Sequence, residues 1–146
     1  IAAAIDLAAA VVVTGDAGWR ALTVTRAAQG NGSAEAHLLA VTAADPPVAA
    51  RAVLESAAAL HRSALRGAVP VFETTTRRLY DDGFVDEDEL DGTDYRRGDL
   101  DDAPNSFVWG TITVGELMAL SPSPAELAQA IWGSIHALAS VDKVDG

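Results

Sequence analysis

Carboxylates crowd the middle of this chain, and their spacing is the first feature that could support chemistry. Between Asp81 and Asp102 the sequence contains 11 acidic residues and 2 arginines, which supply most of the net charge of −11. Carboxylate oxygens bind Ca²⁺, but a calcium loop needs a glycine at its sixth position and a bidentate Glu at its twelfth. With Gly92 at the sixth position, the twelfth is Gly98. The stretch is therefore predicted to bind no calcium.

A stretch this acidic has too little apolar surface to offset the entropy lost on ordering. We therefore predict a long, solvated and flexible acidic loop near residues 81–106. This loop divides the chain into two parts. The part before it alternates strand-like and helix-like segments, and the part after it contains two short helical segments.

The other catalytic or metal centres that these residue types could form are incomplete. Two-metal nucleases generally need an acid two residues before a lysine, whereas Val141 holds that position before Lys143, the one lysine of the chain. His37, His61 and His136 have no metal-ligand spacing. Nucleophile elbows, dinucleotide loops and phosphate loops are missing from the sequence. No catalytic residue, metal ligand or cofactor is predicted.

Four arginines and one tryptophan are the candidate contacts with DNA or a partner protein. Arg62 and Arg66 are one helical turn apart, and Arg77 and Arg78 follow. They form either a solvated face that pairs with the acidic loop, or a small patch that contacts a DNA phosphate or an acidic partner. Trp132 lies at the edge of an apolar stripe, where it either packs within its own domain or contacts a partner. The net charge argues against broad binding of nucleic acid by this chain alone.

Length and composition place limits on the class of protein. The 146 residues fit a single domain over 1–146. Because the sequence opens on Ile1 and ends on a polar run, we expect a C-terminal fragment of a longer chain. The lack of cysteine fits a reducing cytoplasm. Residues 1–13 contain Asp6 and are too short to span a bilayer, so they are predicted to lead into a buried strand, and no membrane role is expected.

The first part of the chain predicts an α/β fold with a small mixed sheet packed by helices. A β-branched run, a turn and a period-two segment predict a hairpin over 9–26. Residues 30–32 should form a loop, and Ser33 should cap a helix that begins at Ala34 and stops before two prolines. Residues 48–66 fit one long helix, or a strand over 48–54 and then a helix. We favour the strand followed by the helix.

The second part of the chain contains clearer helix signals. Residues 68–72 form an edge strand or a packed loop because of Pro70, and 73–80 fit a short helix. Residues 107–110 are predicted to form a short strand. Thr113 and Ser123 each open a capping box. The second box begins a helix whose apolar stripe should face the core, formed by Leu127, Ile131, Ile135 and Leu138.

Five stretches carry a family resemblance, and together they span nearly the whole chain. They are residues 11–15 with 22–26, residues 36–43, residues 60–67 with 69–75, residues 95–101 with Val108-Trp109-Gly110, and Leu127-Ala128 with Ile131-Trp132. On these residues the chain resembles the C-terminal portion of the RecC family, the gamma subunit of bacterial exodeoxyribonuclease V. It departs from the family at His37, where a nearby tryptophan is usual, and at Gly98-Asp99, where Gly-Glu is usual.

The resemblance implies a nuclease-like α/β domain without an active site. It also implies a non-catalytic role in double-strand break repair by homologous recombination, where the parent subunit splits the duplex and scans for the recombination signal. The partners implied are the helicase–nuclease subunits of a cytoplasmic hetero-oligomer, with DNA bound by the assembled complex. The alternative is a stand-alone protein-interaction module with no DNA role.

Overall fold

The computed structural model describes residues 1–26, 34–93 and 96–144 as helices, strands and short connections. The helices are α1 (Ala2–Thr14), α2 (Pro46–Ala64), α3 (Glu73–Asp81), α4 (Glu87–Asp91), α5 (Ala103–Trp109), α6 (Val114–Met118), α7 (Pro124–Ala128) and α8 (Ser134–Leu138). The strands are β1 (Arg20–Arg26), β2 (Ala34–Val41), β3 (Gly92–Thr93), β4 (Arg96–Arg97) and β5 (Ala139–Val144). The predicted α/β class is confirmed.

The described residues divide into two compact units. Ile1–Ala59 and Ser134–Gly146 form the first, which we call the sheet unit, and Leu60–Gly133 form the second, which we call the helical unit. The first boundary falls within α2. The single domain predicted over 1–146 stays a prediction. No helix of the described residues is both long enough and apolar enough to cross a membrane.

The sheet of the sheet unit is antiparallel throughout, in the order β1-β2-β5. The expectation of a mixed sheet is therefore corrected. Strand β1 confirms the period-two pattern that predicts a strand near 19–26, but its hairpin partner is β2 and not the segment before it. The loop predicted at 30–32 and the cap predicted at Ser33 lie outside the described residues.

The start of the chain is a helix and not the predicted strand. Six of the 13 residues of α1 are alanine, the strongest helix former, and the β-branched run occupies only the last turn. Gly15 ends the helix in the left-handed conformation, at φ 70°, where its amide donates to the carbonyl of Val11 at 2.8 Å. Alanine propensity over the whole segment outweighs the valines at its end.

Residues 34–41 form strand β2, although the sequence predicted a helix there. Its apolar residues do have helical spacing, but β2 is the central strand and pairs with β1 on one side and β5 on the other. Two ladders of backbone hydrogen bonds override a local pattern of this kind. Leu39 is buried in the result.

Helix α2 settles the two readings of 48–66 in favour of one long helix. Pro46 and Pro47 begin this helix and do not end an earlier one, because proline is tolerated in the first turn, where its missing amide has no helical partner. Asp45 Oδ1 accepts a hydrogen bond from the amide of Val48 at 3.3 Å. The favoured strand over 48–54 is therefore wrong.

The core of the helical unit gathers residues from distant segments. Phe72, Leu90, Leu100 and Leu117 are buried together, and Trp109 packs against them.

The segment before α3 confirms the packed-loop reading, with Pro70 buried, and α3 confirms the predicted short helix. The strand predicted at 107–110 is wrong, because these residues end helix α5 and begin the turn after it.

The last helical segment follows the sequence prediction closely. Residues 124–138 are helical throughout, with a π-helical turn at Gln129–Gly133. Both capping boxes are present, since Thr113 and Ser123 each accept from the amide of the glutamate three residues later. The predicted stripe is buried along its full length, at Leu127, Ile131, Ile135 and Leu138.

Candidate interaction surface

The acidic stretch is folded, which corrects the loop predicted over 81–106. It contains α4, the strands β3 and β4, a 3-10 turn at Asp99–Asp101 and the start of α5. Leu90 and Leu100 supply apolar side chains to the core. The charge density predicted a solvated loop, but it did not account for two leucines whose burial anchors the backbone on either side of the short hairpin.

Asp99 shows how a carboxylate is accommodated inside this stretch. Its side chain is buried, with 8% of its surface exposed, at the N-terminus of α3. The amides of Thr74 and Thr75 donate to its two oxygens at 3.4 and 2.8 Å, and Asn105 donates to its backbone carbonyl at 2.8 Å. A helix N-terminus has amides without helical partners and a positive dipole end, so it stabilises a carboxylate. Asp99 therefore joins the acidic stretch to α3.

Gly98 allows two parts of the stretch to come into direct backbone contact. A Cβ atom at this position would overlap the backbone of Gly92, Leu90 and Asp91. The amide of Gly98 donates to Asp101 Oδ2 at 2.8 Å. The close approach explains the choice of glycine here, and it holds Asp99 next to α3.

Two glutamates accept hydrogen bonds from backbone amides at the start of helix α6. Glu87 accepts from the amide of Val114 at 3.1 and 3.2 Å. Glu116 accepts from the backbone amide of Thr113 at 3.0 Å and from its hydroxyl at 2.9 Å. The backbone hydrogen bond from Thr113, followed by the side-chain one, lowers the pKa of Glu116 below its ordinary value of 4.5. The two hydrogen bonds from Thr113 thus stabilise the charged form of Glu116.

Arg77 and Arg78, two of the candidate contacts, are engaged within the chain. Arg77 pairs with Asp81, and Arg78 pairs with Asp82 at 2.7 Å, each across one helical turn. This matches the reading in which the arginines pair with acidic residues. Because the four side chains are more than a third exposed, such pairs add little to stability.

Trp132 is buried, with 8% of its surface exposed. Its indole N–H lies 3.4 Å from Thr76 Oγ1, and the guanidinium of Arg77 lies 4.9 Å from the ring centroid. A cation over an indole face is a favourable contact. The structure thus brings Arg77 and Trp132 together, whereas Arg62 and Arg66 are exposed near the C-terminal end of α2. Contact of these five residues with DNA or a partner stays a prediction.

The helical unit has an open apolar groove. It has a volume of about 360 Å³. Three segments line it: the end of α2, the loop before α3, and α5. Val108 lies in its wall and is 53% exposed, while the neighbouring Phe107 is 91% exposed and does not line it. The sequence did not predict this groove, because residues 107–110 were expected to form a short strand and not the end of helix α5.

No cluster of three metal-ligating side chains exists in residues 1–26, 34–93 and 96–144. Val141, at the position where a two-metal nuclease would have an acid, lies on β5 opposite Leu39. No protein-family model, curated protein or solved structure matches the chain significantly.

Proposed function

We propose that this chain is a non-catalytic part of a RecC-type gamma subunit of bacterial exodeoxyribonuclease V. In that role it contributes partner contacts to a complex that processes double-strand breaks for homologous recombination. Partner subunits hydrolyse ATP and cut the DNA. The proposal includes a nuclease-like fold without an active site, a cytoplasmic location, and assembly with helicase–nuclease subunits as a hetero-oligomer that binds DNA as a whole.

One ring contact carries the proposal. Phe72 and Trp109 pack edge to face, with ring centroids 5.8 Å apart and an interplanar angle of 69°. Phe72 belongs to the stretch 69–75 and Trp109 to the stretch 108–110, two of the segments on which the family resemblance rests. These segments are far apart in the sequence and share one core. Their contact supports reading them as parts of one family pattern.

A third stretch of the resemblance packs in the same unit. Trp132, from the stretch 127–132, contacts Thr76 and Arg77 directly after the stretch 69–75. The support is confined to the helical unit. In the sheet unit, the stretches 11–15 and 22–26 of the resemblance lie at the end of α1 and in strand β1, and the stretch 36–43 lies mostly in strand β2.

The apolar groove favours a second and narrower function, that of a protein-interaction module with no DNA role. The groove is apolar and open, and the helical unit that contains it also contains most of the acidic residues of the chain. An apolar surface of this kind suits a protein partner, and the net negative charge of the unit as a whole disfavours phosphate.

Affinity purification separates the two functions. The gene that encodes this sequence is tagged in its own host, and the proteins retained with its product are identified. We expect helicase and nuclease subunits, with ATP-dependent degradation of linear duplex DNA by the purified complex. Cells lacking the gene should be sensitive to double-strand breaks. A complex without helicase subunits, from cells with normal break repair, would establish the interaction module instead.

A further inference from the structure

We propose that the bond between Asp82 and Gly83 is a site of spontaneous modification, at which aspartate converts to isoaspartate through a cyclic imide. An aspartate followed by glycine meets the least steric resistance to this reaction, because glycine has no Cβ. The sequence contains this pair at 82–83, 91–92 and 145–146, and the related Asn-Gly pair at 31–32. The pairs at 145–146 and 31–32 lie outside the described residues, so the structure compares the other two.

The reaction uses only the chain and water, so it does not depend on the proposed function. The amide nitrogen of Gly83 attacks Cγ of the protonated Asp82 carboxyl group. A bond forms between nitrogen and Cγ, the C–OH bond of the carboxyl group breaks, and the hydroxyl leaves with the amide proton as water. Water then opens the imide at one of its two carbonyl carbons.

The carbon at which the imide opens decides the product. Opening at Cγ restores aspartate. Opening at the main-chain carbonyl carbon of Asp82 breaks its bond to nitrogen, which leaves the main chain connected through Cβ and the α-carboxylate free. One water is lost and one is regained, so isoaspartate has the same mass and the same formal charge as aspartate. Its detection therefore requires a chemical readout.

Ring closure requires the peptide plane between the two residues to turn until its nitrogen approaches Cγ, and the surroundings of Asp82 allow this. Asp82 and Gly83 are both exposed, directly after α3. Gly83 has a φ of 77°, and a Cβ atom there would meet nothing within 4 Å. In the described part of the chain, the amide of Gly83 donates to no acceptor. The ion pair between Asp82 and Arg78 is more than a third exposed on both sides and restrains the carboxylate weakly.

The pair Asp91-Gly92 has the same chemistry but is held in place by its neighbours. Gly92 pairs with Arg97 in the hairpin of β3 and β4. Gly98 lies so close to the amide nitrogen of Gly92 and the carbonyl carbon of Asp91 that a Cβ atom on Gly98 would overlap both. Turning this peptide plane requires the hairpin to open, and the free energy of that local opening adds to the reaction barrier. Asp82 should therefore react first.

The experiment ages the complete, folded protein for several weeks in mildly acidic buffer. Cleavage after glutamate separates the two bonds, because Glu87 and Glu89 lie between them. An isoaspartyl methyltransferase with S-adenosylmethionine then labels the free α-carboxylate of isoaspartate in each peptide, and fragmentation in a mass spectrometer locates it. We expect isoaspartate to accumulate at least about tenfold faster at Asp82 than at Asp91, a factor that corresponds to about 1.4 kcal/mol of barrier.

Unfolding the chain in urea is the main control, because it removes the packing and keeps the sequence. The two sites should then react at similar rates. The matched variants Asp82→Asn and Asp91→Asn repeat the comparison with ammonia as the leaving group, which changes the mass of the peptide, and the first should again react faster in the folded protein. Asp82→Glu, which cannot form the five-membered ring, should abolish the product at this position.

Three outcomes would overturn the proposal. The first is equal accumulation at the two sites of the folded protein, or faster accumulation at Asp91. The second is a difference that persists unchanged in urea, since the local sequence and not the packing would then be its cause. The third is an Asp82 that forms isoaspartate in the unfolded chain and none in the folded one.

Discussion

Two segments of the acidic stretch, residues 81–88 and residues 98–100, both contain carboxylates but have opposite surroundings. Every acidic residue from Asp81 to Asp88 is exposed, and Phe84 among them is 65% exposed. Gly98 to Leu100 are buried, together with the carboxylate of Asp99. Glu87 at the exposed end also accepts from an amide, so donors alone do not explain the difference. Asp99 meets two amides at the start of α3 and lies directly beside the buried Leu100. Acidic composition therefore does not decide burial; the presence of donors and of an apolar anchor nearby does.

The largest effect should come from the apolar anchor of the buried end. Leu90 is completely buried, so Leu90→Ala leaves a cavity and should cost about 2–5 kcal/mol of unfolding free energy. Phe84→Ala, at the exposed end, should change it by less than about 0.5 kcal/mol. Urea unfolding of both variants measures the contrast. Similar losses would show that the two ends are packed alike.

The next effect concerns the close approach of backbone at Gly98. Gly98→Ala adds one methyl group that overlaps the backbone of Gly92 and Leu90, so the hairpin must shift. We expect a loss of about 1–3 kcal/mol, typical of forced overpacking. Gly115→Ala is the matched control, since a Cβ atom there meets nothing within 4 Å. A neutral Gly98→Ala would mean that β3 and β4 are not held together by this contact.

Removing the buried carboxylate tests the role of amide donors directly. Asp99→Ala leaves the amides of Thr74 and Thr75 without their acceptor and should cost about 1–2 kcal/mol, as other helix caps do. Asp88→Ala removes an exposed carboxylate of the same stretch and should be nearly neutral. Thermal unfolding compares them, and amide exchange at Thr75 should accelerate only in the Asp99 variant. Unchanged amide exchange at Thr75 in the Asp99 variant would show that Asp99 does not cap α3.

The smallest effect is expected at Glu116, an exposed carboxylate that nevertheless has two donors. Because its folded-state pKa lies below the ordinary value of 4.5, its contribution to stability is present above that value. It is lost as pH falls through the lowered pKa. Glu116→Gln should therefore be slightly less stable than the unmodified chain near pH 7, and this difference should shrink below pH 4.5. A difference that persists in acid would show that charge is not the cause.

Sequence reasoning predicts the helical unit better than the sheet unit, for physical reasons. The capping boxes at Thr113 and Ser123 involve residues three apart, so a local pattern specifies them fully. Strand β2 depends on partners that the sequence does not reveal, because one of them, β5, begins about 100 residues later in the chain. The groove was missed for the same reason, since the exposure of Val108 depends on the position of α5 beside the end of α2.

Among the candidate contacts, the sequence identifies residue types well and their partners less well. The i and i+4 spacing of Arg77 and Asp81 is visible in the sequence, and the pair is present. The position of Arg77 over Trp132 requires two segments more than 50 residues apart to meet. Asp99 was read as one more charge of a solvated loop, because its amide donors on α3 lie about 25 residues earlier.

The strand order β1-β2-β5 has a consequence for synthesis on the ribosome. Strands β1 and β2 can pair as a hairpin soon after they emerge, but β5 is translated only after the whole helical unit. Closing β5 onto β2 joins residues almost 100 positions apart, from Val41 to Ala139. In an unstructured chain, such a closure would carry an entropy cost of roughly 4 kcal/mol from its length. A helical unit that folds first restricts the intervening chain and lowers this cost, so we expect β5 to join the sheet after the helical unit has folded.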